Sequence, residues 1–435
     1  MKRLLYPAIA LMNRLSFGKK FSLISVLFFL PMLVTNFYLV RDAYAQFSAT
    51  RIELQSLDLL GSSLMLRSDL ETLGNLVQIN AVLGQSGKAG DVEVKISALE
   101  QQLLAHLQGL SAVSVDEAQV RAFEDKRSEM LAVLTRAQSE TSLLSKAALF
   151  DKLLAQAQVL TKLIASQAGL SQDDERVVRQ LSELLISATP QVTQALGEGR
   201  AMGAYSLGQG FLNSASSTRF EELLQTLEKL GADYAIKLQD ALAVEPRAKA
   251  SLGAQAAASQ ASLKQAGELF EEQVVMADTL DAPWPSFYQQ VSGLMAQTYQ
   301  LNSATLGFLR LELEQRLGEY RRHMILLVGA LAGVFLLIVY LYSGFYASTR
   351  STLRRLGIVM DEVAAGDMTV NFQAHSRDEL GELGQVFNAT VRRIHDLIEQ
   401  VGQTVAQVEY QAEQVHTVSR RAIRRSVVSA GRLSR

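Results

Sequence analysis

Apolar residues are arranged along this chain in three ways. Between Lys20 and Arg41 stands an unbroken stretch without charge, FSLISVLFFLPMLVTNFYLV, and a second, MILLVGALAGVFLLIVYLYSGFYAST, runs from Met324 to Thr349. As a helix, about twenty residues reach ~30 Å, the thickness of a bilayer core. Between the two stretches apolar residues recur at three and four, as in Leu57, Leu60, Leu64 and again in Leu181, Leu184, Leu185, which predicts amphipathic helices. After the second stretch the spacing becomes strictly alternating. Leu353, Leu356, Met360 and Val363 form one seam; Leu380, Leu383, Phe387, Thr390, Ile394, Leu397 and Val401 form another.

The uncharged stretches predict two transmembrane helices. Pro31 lies inside the first, where a membrane helix tolerates it, and Tyr340, Tyr342 and Tyr346 suit an interfacial belt near the end of the second. The first is either an uncleaved anchor or a signal peptide; its long apolar core and the lack of a clean small-residue cleavage site favour the anchor. Lys2, Arg3, Arg14, Lys19 and Lys20 precede it without an acid, which places the N-terminus in the cytoplasm. Arg321 and Arg322 are balanced by Arg350, Arg354 and Arg355, and two spans return the C-terminus to the cytoplasm. The expected location is a bacterial inner (cell) membrane. The expected organisation is a cytoplasmic tail at 1–20, a span at 21–40, a periplasmic helical domain at 41–323, a span at 324–346, a cytoplasmic relay at 347–399 and a last segment at 400–435.

No strand pattern occurs in 41–323. The expected breaks are a turn at QSGKAGD (85–91), GLSQDDE (169–175) with Ser171 and Asp173 as helix caps, a kink at Pro190, and VEPRA (244–248) and DAPWPSF (281–287). This divides the segment into roughly six or seven amphipathic helices, an all-α domain best fitted by two stacked four-helix bundles that share long helices.

The two cytoplasmic seams are separated by VAAGDMTVNFQAHSRDELGEL (363–383), a long spacer where packed antiparallel helices need a few residues. Parallel helices require the chain to run back along the first. Residues 351–365 span about 22 Å as helix, and residues 366–377, extended, reach roughly 36–40 Å. Met368, Val370 and Phe372 alternate along the spacer, so one face can pack on the helices. Two parallel helices with one seam each leave the core open, and two copies close it as a parallel four-helix bundle. A homodimer follows.

Residues 347–399 resemble a HAMP linker, the signal relay found just inside the membrane in receptors and sensor kinases. The resemblance rests on MDEVAAGDMTVNF, on the DELGEL that opens the second helix and on VFNATVRRIHDLI. It implies that Gly366 ends the first helix, that Glu379 steadies the connector and that Met368 and Phe372 anchor it. Thr352 stands where many such modules carry a proline. In the outer segment, AGLSQDDERVVRQLSELLISATPQVTQALGEGRAMG and SFYQQVSGLMAQTYQLNSATLGFLRLELEQRL are similar to helical sensor domains of bacterial transducers. The whole most resembles a methyl-accepting chemotaxis receptor, which implies sensing of a small-molecule ligand and relay to the chemotaxis kinase and its coupling protein. Those partners require a signalling domain beyond the relay. Dimers mixed with other receptors are also implied. The same front end occurs on histidine kinases and diguanylate cyclases.

Composition narrows the chemistry. The 435 residues include no cysteine, which excludes thiol catalysis and cysteine metal sites, and the net charge of −2 selects no class of partner. The five histidines (106, 323, 375, 395, 416) are scattered, so no metal site is expected. No cofactor is expected either, and no catalytic constellation is visible; GEGRAMG (197–203) lacks the strand that precedes a phosphate loop. Arg67 continues the Leu57–Leu60–Leu64 stripe. It reads either as an inward arginine that pairs with a small carboxylate or as a rim arginine with its stem on apolar surface; Arg200 reads both ways too. ALEQQLLA (98–105) has the pattern of an adaptation methylation site, but it falls outside the cell in this topology. The last segment turns abruptly basic in SRRAIRRSVVSAGRLSR, with Arg420, Arg421, Arg424, Arg425, Arg432 and Arg435 and no acid. That shift reads as a frameshift or truncation, or as a tail that holds anionic lipid. Nucleic acid is not an expected partner, because no aromatic residues are interleaved.

Overall fold

The computed structural model describes residues 11–12, 15, 17–114, 116–373 and 379–430. The chain divides into two units, Met1–Val328 and Gly329–Arg435. Every regular element among the described residues is helical: α1 Phe17–Leu83, α2 Val92–Gly109, α3 Glu117–Ser139, α4 Leu143–Gln167, α5 Arg176–Glu183, α6 Thr189–Gln209, α7 Ser214–Ala243, α8 Pro246–Phe270, α9 Trp284–Ala364 and α10 Glu379–Ala430.

Two of these, α1 and α9, contain stretches long and apolar enough to cross a membrane. Around Leu27, Phe28, Leu326 and Leu336 the apolar side chains are exposed. A helix that presents apolar side chains outward has lipid as its fitting solvent. Residues 21–40 lie within α1 and residues 324–346 within α9.

Beyond its apolar stretch, α1 packs with α2, α3 and α4 as one group of successive antiparallel helices. Glu100 on α2 pairs with Lys146 on α4 at 2.7 Å. Gln167 Nε2 at the end of α4 donates to Gln119 O at the start of α3. The second group is α5–α6, α7, α8 and the first part of α9. Its centre is aromatic: Phe220, Phe270 and Phe287, all buried, stand 6.3 and 6.0 Å apart in sequence of contact. Gly199 and Gly203 of α6 admit these rings. A Cβ on either would come within 2.4 Å of the Phe270 or Phe287 ring. Below them a buried hydroxyl chain joins three helices, Tyr234 to Ser259 at 3.1 Å and Ser259 to Thr298 at 2.8 Å.

The expected stacking of two bundles is corrected here. At one level of α1, Arg67 hydrogen-bonds both Gln158 of α4 and Thr193 of α6. The two groups therefore lie side by side along α1 rather than end to end. Short connections account for this, since each helix turns straight back along its predecessor. The helix number is also higher than expected, because breaks after Gly109, at 140–142 and at 210–213 cut what periodicity reads as longer runs. Each following helix has a side-chain cap: Asp116 accepts from Ala118 N, Ser142 from Ser145 N and Asn213 from Ser216 N.

The turn at 85–91 is present. At 169–175 the N-cap position is Glu175, without a side-chain cap, so neither Ser171 nor Asp173 occupies it. Asp173 Oδ1 accepts from Glu175 N at 2.7 Å, and the same carboxylate is held by Arg316. Pro190 does disturb its helix. A π-helical turn, Leu184–Ala188, separates α5 from α6, and Pro190 sits in the first turn of α6.

Candidate functional site

Three residues of α1, Arg67, Glu71 and Asn75, fall one helical turn apart and share a face. Thr193, Gly197 and Arg200 repeat at four and three on α6. Tyr288, Ser292 and Tyr299 repeat at four and seven on α9. The three faces meet in a seam of polar groups inside the first unit. Arg67, Glu71 and Arg200 are each less than 5% exposed, and so both arginines are buried, not on a rim.

Arg67 is satisfied within the protein. Its Nε donates to Gln158 Oε1 at 3.0 Å, Nη1 to Thr193 Oγ1 at 3.1 Å and Nη2 to Pro190 O at 2.8 Å. Nη1 also lies 3.5 Å from Glu71 Oε2. The π turn shapes this pocket. Pro190 has no N–H for the carbonyl four residues back, and that oxygen, Ile186 O, accepts Gln158 Nε2 at 2.6 Å. Glu71 Oε2 also accepts from Tyr299 OH at 2.9 Å. Burial pushes the Glu71 carboxyl above the usual range, opposed by Arg67, by the Tyr299 hydrogen bond and by Arg200. Burial and the Glu71 charge push the Tyr299 hydroxyl up, which keeps it a donor.

Arg200 differs. Its Nη1 donates to Ser292 Oγ at 2.9 Å, and Ser292 Oγ in turn donates to Tyr288 O. The guanidinium lies 4.5 Å over the Tyr288 ring. Its Nε and Nη2 are buried with no partner among the described residues, as are Glu71 Oε1, Asn75 Nδ2 and Tyr288 OH. Gly197 lets two of these atoms approach α6: a Cβ there would sit 2.9 Å from Asn75 Nδ2 and 3.1 Å from Glu71 Oε1. Glu71 and Asn75 also line a cleft of about 700 Å³ between α1, α4 and α6, with Gln158, Asp151, Glu198 and Tyr205. Asp151 is pushed up in pKa by burial and by the Glu198 charge. No cluster of potential metal-ligating residues occurs among the described residues.

In the second unit, α9 ends at Ala364 and the chain turns at Gly366, which has φ 101°, a conformation that favours glycine. Gly366 N donates to Val363 O and Asp367 N to Glu362 O. Asp367 Oδ1 then accepts from Thr369 N and Thr369 Oγ1, which holds its pKa below the usual range. The connector is pinned at Phe372, whose ring is buried. Phe372 N donates to Asn388 Oδ1 and Asn388 Nδ2 donates to Phe372 O, each at 2.8 Å. Met368 and Val370 are half-buried. Glu379 opens α10, while residues 374–378 of the connector, including the expected helix start at Asp378, lie outside the described residues.

The seam residues divide in the single chain. Leu356, Val363, Leu380 and Phe387 are half-buried, with Thr352 and Val359 beside the first two and Gly381, Gly384 and Val391 buried on α10. Leu353, Met360, Leu383, Ile394, Leu397 and Val401 are exposed, and Val405, Val408 and Val415 continue that exposed stripe.

Comparison with known families matches residues 346–396 to the HAMP domain. Comparison with curated proteins and with solved structures yields no match. Helical in every regular element among its described residues, the chain is a HAMP-containing, signal-relaying membrane protein, with two helices long and apolar enough to span a bilayer.

Proposed function

We propose that the chain is a transmembrane chemoreceptor: the helices of 41–323 sense a small extracytoplasmic ligand, and the HAMP domain relays the change to chemotaxis signalling. The observation that carries this reading is helix α9. It runs without interruption from Trp284 to Ala364, and one helix thus holds Tyr288, Ser292 and Tyr299 of the polar seam, the second apolar stretch and the first HAMP helix. A ligand that binds one arrangement of the seam more tightly biases α9, and the HAMP domain responds as a two-state element. Both termini are cytoplasmic in this reading, in a bacterial inner membrane. The relay works by a change of helix packing rather than by catalysis, and engagement of the chemotaxis kinase and coupling protein belongs to a signalling domain downstream.

The exposed seam of Leu383, Ile394, Leu397 and Val401 supports a dimer of parallel HAMP helices, with a second copy or another receptor. The chain lacks cysteine, so single cysteines introduced from 383 to 415 report without background. Oxidation in membranes is expected to cross-link two copies with peaks at Leu383, Ile394, Leu397 and Val401; a flat profile defeats the dimeric relay. The output class is tested in the DNA past the codon for Arg435, read in all three frames. A long heptad coil with paired Glu/Gln sites supports the chemoreceptor, and a histidine kinase or diguanylate cyclase domain replaces it.

A further inference from the structure

The two buried arginines have opposite hydrogen-bonding states. Every nitrogen of the Arg67 guanidinium has an acceptor in the protein, from Gln158, Thr193, Pro190 or Glu71. Arg200 has one, Ser292 Oγ, and its Nε and Nη2 have none among the described residues. Those two nitrogens form one edge of the planar guanidinium, the fork that matches the two oxygens of a carboxylate. We propose that Arg200 is the anchor of a binding site for a small monocarboxylate in the seam of α1, α6 and α9, and that Arg67 is a structural strut. The proposal rests on the sensor reading above and gives that sensor its ligand class.

Charge and donor balance set the class. Arg67, Glu71 and Arg200 leave the seam one positive charge in excess when Glu71 is ionised. Glu71 does not neutralise Arg200 by contact, since its Oε2 is taken by Tyr299 and Arg67. A buried cation without a counter-ion is costly, and water fills hydrogen bonds without removing that charge. The orphaned atoms also lean one way. Arg200 Nε, Arg200 Nη2 and Asn75 Nδ2 are donors, Tyr288 OH serves either role, and Glu71 Oε1 alone is only an acceptor. A group with one negative charge and two acceptor oxygens answers this set. A dianion overshoots the single charge and meets the Glu71 carboxylate. The cleft against Glu71 and Asn75 brings solvent to the edge of the seam.

Acetate is the probe, titrated into the full chain in lipid nanodiscs, with chloride and inorganic phosphate at matched ionic strength. Thermal unfolding is the readout. Acetate is expected to raise Tm in a saturable way where chloride and phosphate do not. Arg200→Lys keeps the charge but not the fork, and is expected to weaken acetate by roughly tenfold, the loss of one charge-assisted hydrogen bond. Arg200→Met is expected to abolish the response while its Tm without acetate equals or exceeds that of the unaltered chain, because an uncompensated charge has been removed. A structural arginine predicts the reverse, a lower Tm. No acetate-specific shift, an equal shift with phosphate, or a shift that survives Arg200→Met overturns the proposal. These outcomes concern binding alone and leave the cross-linking test of the relay independent.

Discussion

Arg316 holds Asp173 through both carboxylate oxygens, at 2.9 and 2.7 Å, and the same guanidinium reaches Glu53 only at 3.8 Å. One cation thus serves two buried carboxylates from different parts of the chain, Glu53 on α1 and Asp173 in the turn before α5. Asp173 has the better geometry. Burial and the charge of Asp173 push the Glu53 carboxyl up to about 7, and the distant Arg316 pulls it down only in part. Asp174 adds to that push, and Gly169 packs beside Glu53 Oε1.

A pKa raised by folding means that the folded state favours neutral Glu53. Its contribution is fully present below the unfolded carboxyl range and is lost as pH rises through about 7. Glu53→Gln fixes the neutral form. Its Tm should match the parent near pH 4.5, exceed it by a margin that grows up to about pH 7 and then levels off, with a plateau difference in stability of a few kcal/mol at ~1.4 kcal/mol per pKa unit. Parallel Tm–pH curves for the two proteins would refute the assignment.

Arg316→Met tests the other partner. It strands two buried carboxylates, and breaking a buried pair in this way costs about 3–5 kcal/mol. Arg310, which pairs with exposed Asp58, is the control. Its pair is on the surface, and Arg310→Ala is expected to cost less than about 1 kcal/mol. Denaturant titration of both variants measures the contrast; equal losses would mean that burial does not set the energy at Arg316.

Gly203 allows α6 to approach the Phe287 ring, and a Cβ would lie 2.4 Å from two of its carbons. Gly203→Ala therefore overpacks the aromatic centre and is expected to cost about 1–3 kcal/mol despite the higher helix propensity of alanine. Phe287→Leu makes room. In a double-mutant cycle the combined variant should lose less than the sum of the single ones, and strict additivity would show that the ring moves away freely.

Periodicity made the helices legible, and it was sufficient for the two apolar stretches and for the helices on either side of the HAMP connector. It marks which face of a helix is apolar without saying which helix covers it. That is why stacking was expected where α1 in fact serves both groups through Arg67. The breaks after Gly109, at 140–142 and at 210–213 carried signals in Asp116, Ser142 and Asn213, each a helix-start residue type, but the apolar spacing continued across them. Arg67 stood out from its stripe, whereas its partners did not: Gln158 and Pro190 lie far along the chain, and Glu71 meets Tyr299 only through folding. The contrast between Arg67 and Arg200 is a matter of hydrogen-bond count, which no spacing encodes. Asn388 was hidden for another reason. An amide in a helix interior has many bland uses, and its partner is a backbone rather than a side chain.

Asn388 supplies both the acceptor for Phe372 N and the donor to Phe372 O, so it replaces a strand's worth of pairing at that one residue. The ring of Phe372 is buried, and its backbone needs partners that no neighbouring strand supplies among the described residues. Asn388→Ala removes both hydrogen bonds and leaves the ring as the connector's remaining hold. Each lost bond is worth about 0.5–1.5 kcal/mol net. The Phe372 amide should exchange with solvent roughly tenfold faster or more, in line with ~1.4 kcal/mol per factor of ten, while amides in the interior of α10 keep their protection. Asn388→Asp retains the acceptor for Phe372 N and loses only the donor, and should fall between. Unchanged exchange at Phe372 in Asn388→Ala would show that the buried ring alone holds the connector.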